Sequence, residues 1–247
     1  MLDCYIALGG NLGEVAATFD LALNQLECAP GVQVALCSRV HSTAPVGNAA
    51  GPTFMNAAAR LVTGLPPLAV LDLLQAVEAN CGRTRDTHWG PRTLDLDVLF
   101  YGREILESAR LVVPHPACWY RRFVLDPLVE IAADFRHPVK QLTVGELHAR
   151  LLERPLHVSL AGGSAELRRQ WIESLEREFG DVLFSTWEAA QALPREPTLV
   201  AWLGGTAVTP RDAHNQFLQL PPVSRVDASG AAAPFEFLRQ LTQSIRG

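Results

Sequence analysis

From Leu94 to Phe100 the chain reads Leu-Asp-Leu-Asp-Val-Leu-Phe, a short alternation that a β-strand satisfies and a helix does not. Gly90 and Pro91 break whatever precedes it. Strand side chains alternate between faces, so Asp95 and Asp97 share one face while Leu94, Leu96 and Val98 share the other. Their Cβ atoms then sit roughly 7 Å apart, two rises of about 3.3 Å each. Two carboxylates held that close on an apolar strand repel each other and lose hydration, so they need cations or a retained proton. Hard oxygen ligands with no Cys or His beside them suit Mg²⁺, and Mg²⁺ on a few carboxylates ordinarily accompanies a phosphate-bearing substrate. Arg92, three residues before the first Asp, supplies a cation able to grip phosphate bidentately. An edge strand with two solvated aspartates accounts for Asp-x-Asp alone; Trp89-Gly90-Pro91-Arg92 directly upstream favours the phosphate site.

The rest of the first half supplies the sheet that such a strand needs. Cys4–Leu8 is an apolar strand ending at Gly9-Gly10, expected to form a tight turn, with Asn11 or Gly13 opening a helix. Val15, Phe19, Leu23 and Leu26 share one helical face, and Pro30-Gly31 ends it. Val32–Val40 reads as a strand, 42–52 as a loop, and Phe54–Val62 as a strand again. Pro66-Pro67 start a helix with Leu68, Leu71, Leu74 and Val77 on one face; 81–91 is a polar loop before the Asp95 strand. The order β-α-β-β-α-β predicts an α+β, ferredoxin-like antiparallel sheet with its helices on one face and the other face free for a site. Pro127–Ala132 and Val144–Leu152 read as further helices.

Composition bounds the rest. The 247 residues are 48% hydrophobic and carry a net charge of −5, which disfavours wholesale nucleic-acid or anionic-membrane binding. Cys4, Cys28, Cys37, Cys81 and Cys118 form no C-x-x-C pair, and reduced thiols in a cytoplasmic protein are the expectation. No apolar stretch is long enough to span a bilayer, and a basic-then-apolar leader is absent.

Six segments, in order, resemble the 6-hydroxymethyl-7,8-dihydropterin pyrophosphokinase family over roughly residues 1–153. They are Ala-Leu-Gly-Gly-Asn-Leu-Gly (7–13), Ser-Thr-Ala-Pro-Val-Gly (42–47), Phe-Met-Asn-Ala-Ala (54–58), Gly-Arg-Thr-Arg (82–85), Trp-Gly-Pro-Arg-Thr-Leu-Asp-Leu-Asp (89–97), and Val-Pro-His-Pro with Arg121 and Phe123. The resemblance implies transfer of diphosphate from ATP to the pterin's hydroxymethyl group, with release of AMP. It implies two Mg²⁺ ions on Asp95 and Asp97, and two phosphate-gripping arginines, Arg83 and Arg92. It places Glu78, Arg85, Trp89, Arg92, Arg110, His115 and Arg121 against ATP. Phe54 and Phe123 would sandwich the pterin, whose edge Asn56 and the backbone near Thr43 and Val46 would read. Read from the residues alone, His115 serves structure as readily as chemistry, and Phe123 serves as readily as core beside Val124, Leu125 and Leu128. Gly10 and Ala44 depart from the commonest family residues, Ser and Pro.

Residues 155–247 have no counterpart in the minimal family member. Leu156–Leu160 as a strand, Ala161-Gly162-Gly163-Ser164 as a turn, and a helix with Leu167, Trp171 and Leu175 open a second, smaller α/β domain. A strand at Val182–Phe184, a helix near Glu188–Ala192, a strand at Thr198–Leu203 and a last helix at Pro234–Ile245 complete it. It faintly resembles a three-layer P-loop nucleotide kinase, but Glu166 and Leu167 stand where the phosphate-binding Lys and Ser/Thr would be. A helix N-terminus there can still hold an anion, and a degenerate, non-catalytic domain is the expectation. Two rivals remain: an RNA-binding ferredoxin-like module, opposed by sparse strand aromatics and negative charge, and a kinase acting through the second domain.

Overall fold

Strand β1 (Leu2–Gly10) is the axis of the first sheet. After it come α1 (Val15–Glu27), β2 (Val32–Cys37), β3 (His41–Thr43), β4 (Phe54–Thr63), α2 (Pro67–Asn80) and β5 (Asp95–Tyr101). A hairpin of β6 (Leu106–Glu107) and β7 (Val112–Val113), then α3 (Arg122–Ala132) and α4 (Val144–Leu152), follow. This computed structural model describes residues 1–45, 53–83, 92–190, 196–205 and 210–247. The chain divides into two units, Met1–His148 with Gly247, and Ala149–Arg246.

The sheet of the first unit runs β2-β4-β1-β5, antiparallel throughout, with β3 also paired to β4. This is the order of a split β-α-β arrangement, in which the first strand lies between the last two. Cys4, Ile6 and Leu8 of β1, Ala57, Ala59 and Leu61 of β4, and Leu96 and Val98 of β5 face one way. They form the core with Val15, Phe19, Ala22 and Leu26 of α1 and Val70, Leu74 and Val77 of α2. The helical periodicity in the sequence exists because these side chains need that burial, worth about 1.5–3 kcal/mol for each large one.

The opposite face is not left free, as the sequence suggested. Tyr5 and Phe100 point there, and Phe135 covers both, with ring centroids 5.1 Å and 4.7 Å away. Helix α3 packs against β4 and β3. An antiparallel sheet carrying aromatics on its second face must bury them, so cover arrives from the chain after β5. Asp97, beyond this cover, is exposed.

Local boundaries shift for physical reasons. Gly9 and Gly10 continue β1 instead of turning, because they pair with Asn56 and Met55. Strand β2 stops at Cys37, and His41–Thr43, partly assigned to the loop, forms its own strand beside Asn56, Met55 and Phe54. Asn11 does not cap α1, whose N-cap is Glu14 without a side-chain bond. Helix α3 starts at Arg122 and accommodates Pro127 internally, since Val124, Leu125 and Leu128 are buried along one face.

The second unit runs β8 (Leu156–Ala161), α5 (Ala165–Glu178), β9 (Val182–Thr186), α6 (Trp187–Ala190), β10 (Leu199–Trp202), α7 (Pro210–Leu218), β11 (Arg225–Asp227) and α8 (Pro234–Arg246). Its four strands are parallel in the order β11-β10-β8-β9. All six residues of β8 are buried, as expected of a central parallel strand covered on both faces. The three-residue β11 is too short to show alternation in the sequence. Residues 191–192 of the expected 188–192 helix lie outside the described residues. Among the described residues no helix is long and apolar enough to cross a membrane.

Candidate active site

Register brings the site residues together. In the row His41–Asn56–Gly9–Asp95, β3, β4, β1 and β5 lie side by side, and Ala58–Ala7–Asp97 forms the next row. The floor between the polar side chains is therefore made of Gly and Ala. A Cβ at Gly9 would stand 3.5 Å from Asn56 Oδ1 and 3.9 Å from Asp95 Cβ, so any larger residue would fill the gap between them. Buried Asn56 donates through Nδ2 to Thr43 Oγ1 at 2.8 Å, which fixes its amide orientation. Phe54, paired with Thr43 across the same ladder, is half-buried.

Asp95 is held by two arginines. Arg83 Nη1 lies 2.5 Å from Oδ1, and Arg92 Nη1 donates to Oδ2 at 2.5 Å. Burial first, and then the like charge of Asp97, push the Asp95 carboxyl above the usual carboxylate range, against the pull of Arg92 and Arg83. Arg83 also contacts Glu78, whose side chain is only 4% exposed and accepts the Leu96 N–H at 2.7 Å. Glu78 thus faces inward and joins α2, Arg83 and the start of β5. The Arg92 guanidinium carbon lies 6.0 Å from the Phe54 ring centroid, while its Nη1 binds Asp95.

His115 is reached from β5 through its own backbone N–H, which donates to Leu99 O at 2.9 Å. Its Nδ1 accepts the Ala117 N–H at 3.1 Å, leaving Nε2 to carry the proton of the neutral ring. Burial lowers its pKa, Asp97 opposes that, and Arg121 reinforces it, so Asp97, His115 and Arg121 share one electrostatic neighbourhood. Arg121 is the N-cap residue of α3 and its guanidinium lies 5.5 Å from the Phe123 ring centroid. Phe123 is half-buried rather than sealed into the core with Val124 and Leu125. Arg110 stands apart from these contacts, paired with Asp72 of α2, and both side chains are more than half exposed. Val46, Arg85 and Trp89 lie outside the described residues.

Two features escape a sequence reading. Asn11 accepts the Arg92 backbone N–H, and Glu130 of α3 binds Arg39 and His41, bracing strand β3. Arg39 hydrogen bonds hold the Glu130 carboxyl down to about 2. Neither partner is near in sequence, so spacing carries no signal for either.

The carboxylate pair suits a divalent cation of the Mg²⁺ kind. Among the described residues no group of three or more His, Cys, Asp or Glu could hold a metal. Mg²⁺ ordinarily binds through one or two carboxylates together with substrate phosphates and water, which half-buried Asp95 and exposed Asp97, on one face of β5, suit.

Residues 5–133, just over half of the chain, match the family 7,8-dihydro-6-hydroxymethylpterin-pyrophosphokinase (HPPK). The chain is 46% identical over 134 residues to the 2-amino-4-hydroxy-6-hydroxymethyldihydropteridine pyrophosphokinase of Pseudomonas aeruginosa, covering 54% of this chain and 83% of that one. The enzyme of the same name from Bacillus subtilis is 43% identical over 127 residues, covering 51% of this chain and 76% of that one. A crystal structure of Plasmodium falciparum HPPK-DHPS (A437G, with STZ-DHP) superposes with a TM-score of 0.50 at 13% identity, covering 89% of this chain and 60% of that one. That last likeness is one of fold alone.

Proposed function

The chain belongs to the 7,8-dihydro-6-hydroxymethylpterin-pyrophosphokinase family, and from that premise we propose how its residues perform the family's reaction. The protein transfers diphosphate from ATP to the hydroxymethyl group of 6-hydroxymethyl-7,8-dihydropterin, a step of folate biosynthesis. The pterin hydroxyl oxygen bonds to the β-phosphorus of ATP. The bond from that phosphorus to the oxygen bridging it to the α-phosphate breaks, AMP leaves with that oxygen, and the hydroxyl proton is released.

The observation that carries this reading is the placement of Asp95 across Gly9 from Asn56, with Arg83 and Arg92 on its two oxygens. Asp95 and Asp97 would hold the Mg²⁺, two ions in this reading, which when bound would neutralise triphosphate charge and lower the pKa of the attacking hydroxyl. Arg83 and Arg92 exchange Asp95 for phosphate oxygens as ATP arrives, and inward-facing Glu78 keeps Arg83 at hand. Phe54 and Phe123 sandwich the pterin ring. Asn56, with Thr43 and the backbone near Val46, pairs with its donor–acceptor edge, which excludes analogues lacking those groups. His115 offers its Nε2–H to phosphate beside Arg121, and Arg85, Trp89 and Arg110 complete the nucleotide contacts.

Residues 1–154 form the catalytic domain in this reading, and residues 155–247 a degenerate P-loop-like domain that transfers no phosphate. What supports the second part is the glycine turn itself. The Gly163 N–H donates to Gly204 O at 2.7 Å, and Arg168 donates to the Gly162 and Gly163 carbonyls at 2.6 Å and 3.0 Å. An amide spent on a carbonyl is not aimed at a phosphate.

Product analysis tests both parts. With pterin present, ATP should yield AMP and pterin diphosphate; without pterin, neither AMP nor ADP should accumulate. ADP formation that persists in the Asp95→Ala, Asp97→Ala double variant would assign a kinase activity to residues 155–247.

A further inference from the structure

Every backbone hydrogen-bonding group of Arg92 is taken by the turn that leaves β1. The Arg92 N–H donates to Asn11 Oδ1 at 2.9 Å, while its carbonyl accepts from Asn11 N at 3.0 Å and Leu12 N at 3.3 Å. Asn11 is 6% exposed, so these bonds are sheltered from water. The contact extends the β1–β5 ladder past its last pair, Gly9 with Asp95, using a side-chain carbonyl where a backbone one would serve. Directly before it, a Cβ at Gly10 would lie 2.7 Å from Thr93 O, so the two segments touch backbone to backbone. The Arg92 guanidinium, in contrast, is held at its tip: Nη1 donates to Asp95 Oδ2, near the Phe54 ring.

We propose that Asn11 is a positioning residue for Arg92: it fixes the main chain at that point, so that the guanidinium moves from Asp95 to phosphate by side-chain rotation alone. The short amide side chain is suited to this, because its oxygen accepts a backbone N–H without placing another carboxylate beside Asp95 and Asp97. The kinetic consequence rests on the diphosphate-transfer reading above; the structural one does not.

Two measurements separate these. Amide hydrogen exchange in the full chain reads the bond itself. In Asn11→Ala the Arg92 amide should lose at least about tenfold of its protection, since its acceptor is gone. In Asn11→Asp it should stay protected, because Oδ1 remains, and the Leu96 amide, bonded to Glu78, should be unchanged in both. Unaltered Arg92 protection in Asn11→Ala overturns the proposal whatever the protein catalyses. For turnover, Asn11→Ala should lower kcat by about tenfold or more with the pterin KM within about twofold, because what is lost is transition-state positioning. In an Arg92→Ala background the same change should cost less than about twofold, because the group being positioned is absent. Costs that multiply in the double variant show that Asn11 acts independently of Arg92. If the wild-type chain makes no AMP, the diphosphate-transfer reading falls and the exchange result still decides the role of Asn11.

Discussion

Arg83 lies 2.5 Å from Asp95 Oδ1 while the same guanidinium nitrogen contacts Glu78, so one cation serves two carboxylates of very different exposure. Glu78, 4% exposed, cannot exchange this partner for water. Arg83→Ala should therefore destabilise the first unit, by up to about 3 kcal/mol, the cost of taking its cation from a buried carboxylate that keeps the Leu96 N–H, beyond any loss of phosphate binding. Arg83→Ala with Glu78→Gln should recover most of that stability without recovering turnover. Denaturant unfolding of the single and double variants checks it.

Asp97→Ala should cut the diphosphate-transfer rate by at least about a thousandfold, or about 4 kcal/mol, because one carboxylate cannot hold the cations that the triphosphate requires. Without metal, its melting temperature should be unchanged or higher, since Asp97 is exposed and its charge repels Asp95. Near-normal turnover at saturating Mg²⁺ would remove Asp97 from the metal site.

Phe123 stands at the start of α3, half-buried, with Arg121 over its ring. Phe123→Ala should weaken pterin binding far more than binding of a non-hydrolysable ATP analogue, measured by calorimetry. A stacked aromatic wall contributes about 0.5–1.5 kcal/mol beyond its area, so at least a tenfold loss is expected for the pterin. Equal losses for both ligands would make the side chain structural.

The first unit should weaken in mild acid through His137. Burial first, then Lys140, lower its pKa from 6.5 to about 4, and its Nδ1 accepts the Val139 and Lys140 N–H groups. The folded value is depressed, so the stabilisation is complete above the unfolded pKa and is lost as pH falls toward 4. Linkage puts the loss at about 3 kcal/mol. His137→Asn, which keeps an acceptor near Nδ1 but cannot titrate, should flatten the stability profile between pH 6.5 and 4.

In the second unit, Gly162 has φ +71°, and a Cβ there would collide with Gly204 O and lie 2.8 Å from the Trp202 ring. Gly162→Ala should cost more than about 1 kcal/mol, since strain and collision add. Differential scanning calorimetry should show unfolding of the second unit moving to lower temperature while AMP production persists. Loss of AMP production with the first unit still folded would show that residues 155–247 support the site.

The α+β core of the first unit was legible because burial imposes period. Cys4, Ile6 and Leu8, the α1 stripe, Leu71, Leu74 and Val77 of α2, and Leu96 with Val98 occupy the faces that alternation and helical spacing assign them, while Leu68, expected on the α2 stripe, is exposed and Val70 is buried instead. The face shared by Asp95 and Asp97 followed from the same rule. What the sequence could not contain was the partner across the sheet. That Gly9 continues a strand and leaves a gap between Asn56 and Asp95 depends on register with Met55 and Asn56, residues more than forty positions away. That Tyr5 and Phe100 receive Phe135 depends on a return of the chain after β5, and that Asn11 binds Arg92 depends on two strand ends meeting. Local pattern reports which face a side chain takes, because that is set by backbone geometry within a few residues. Which group it meets is set by long-range pairing, and only the tertiary structure decides that.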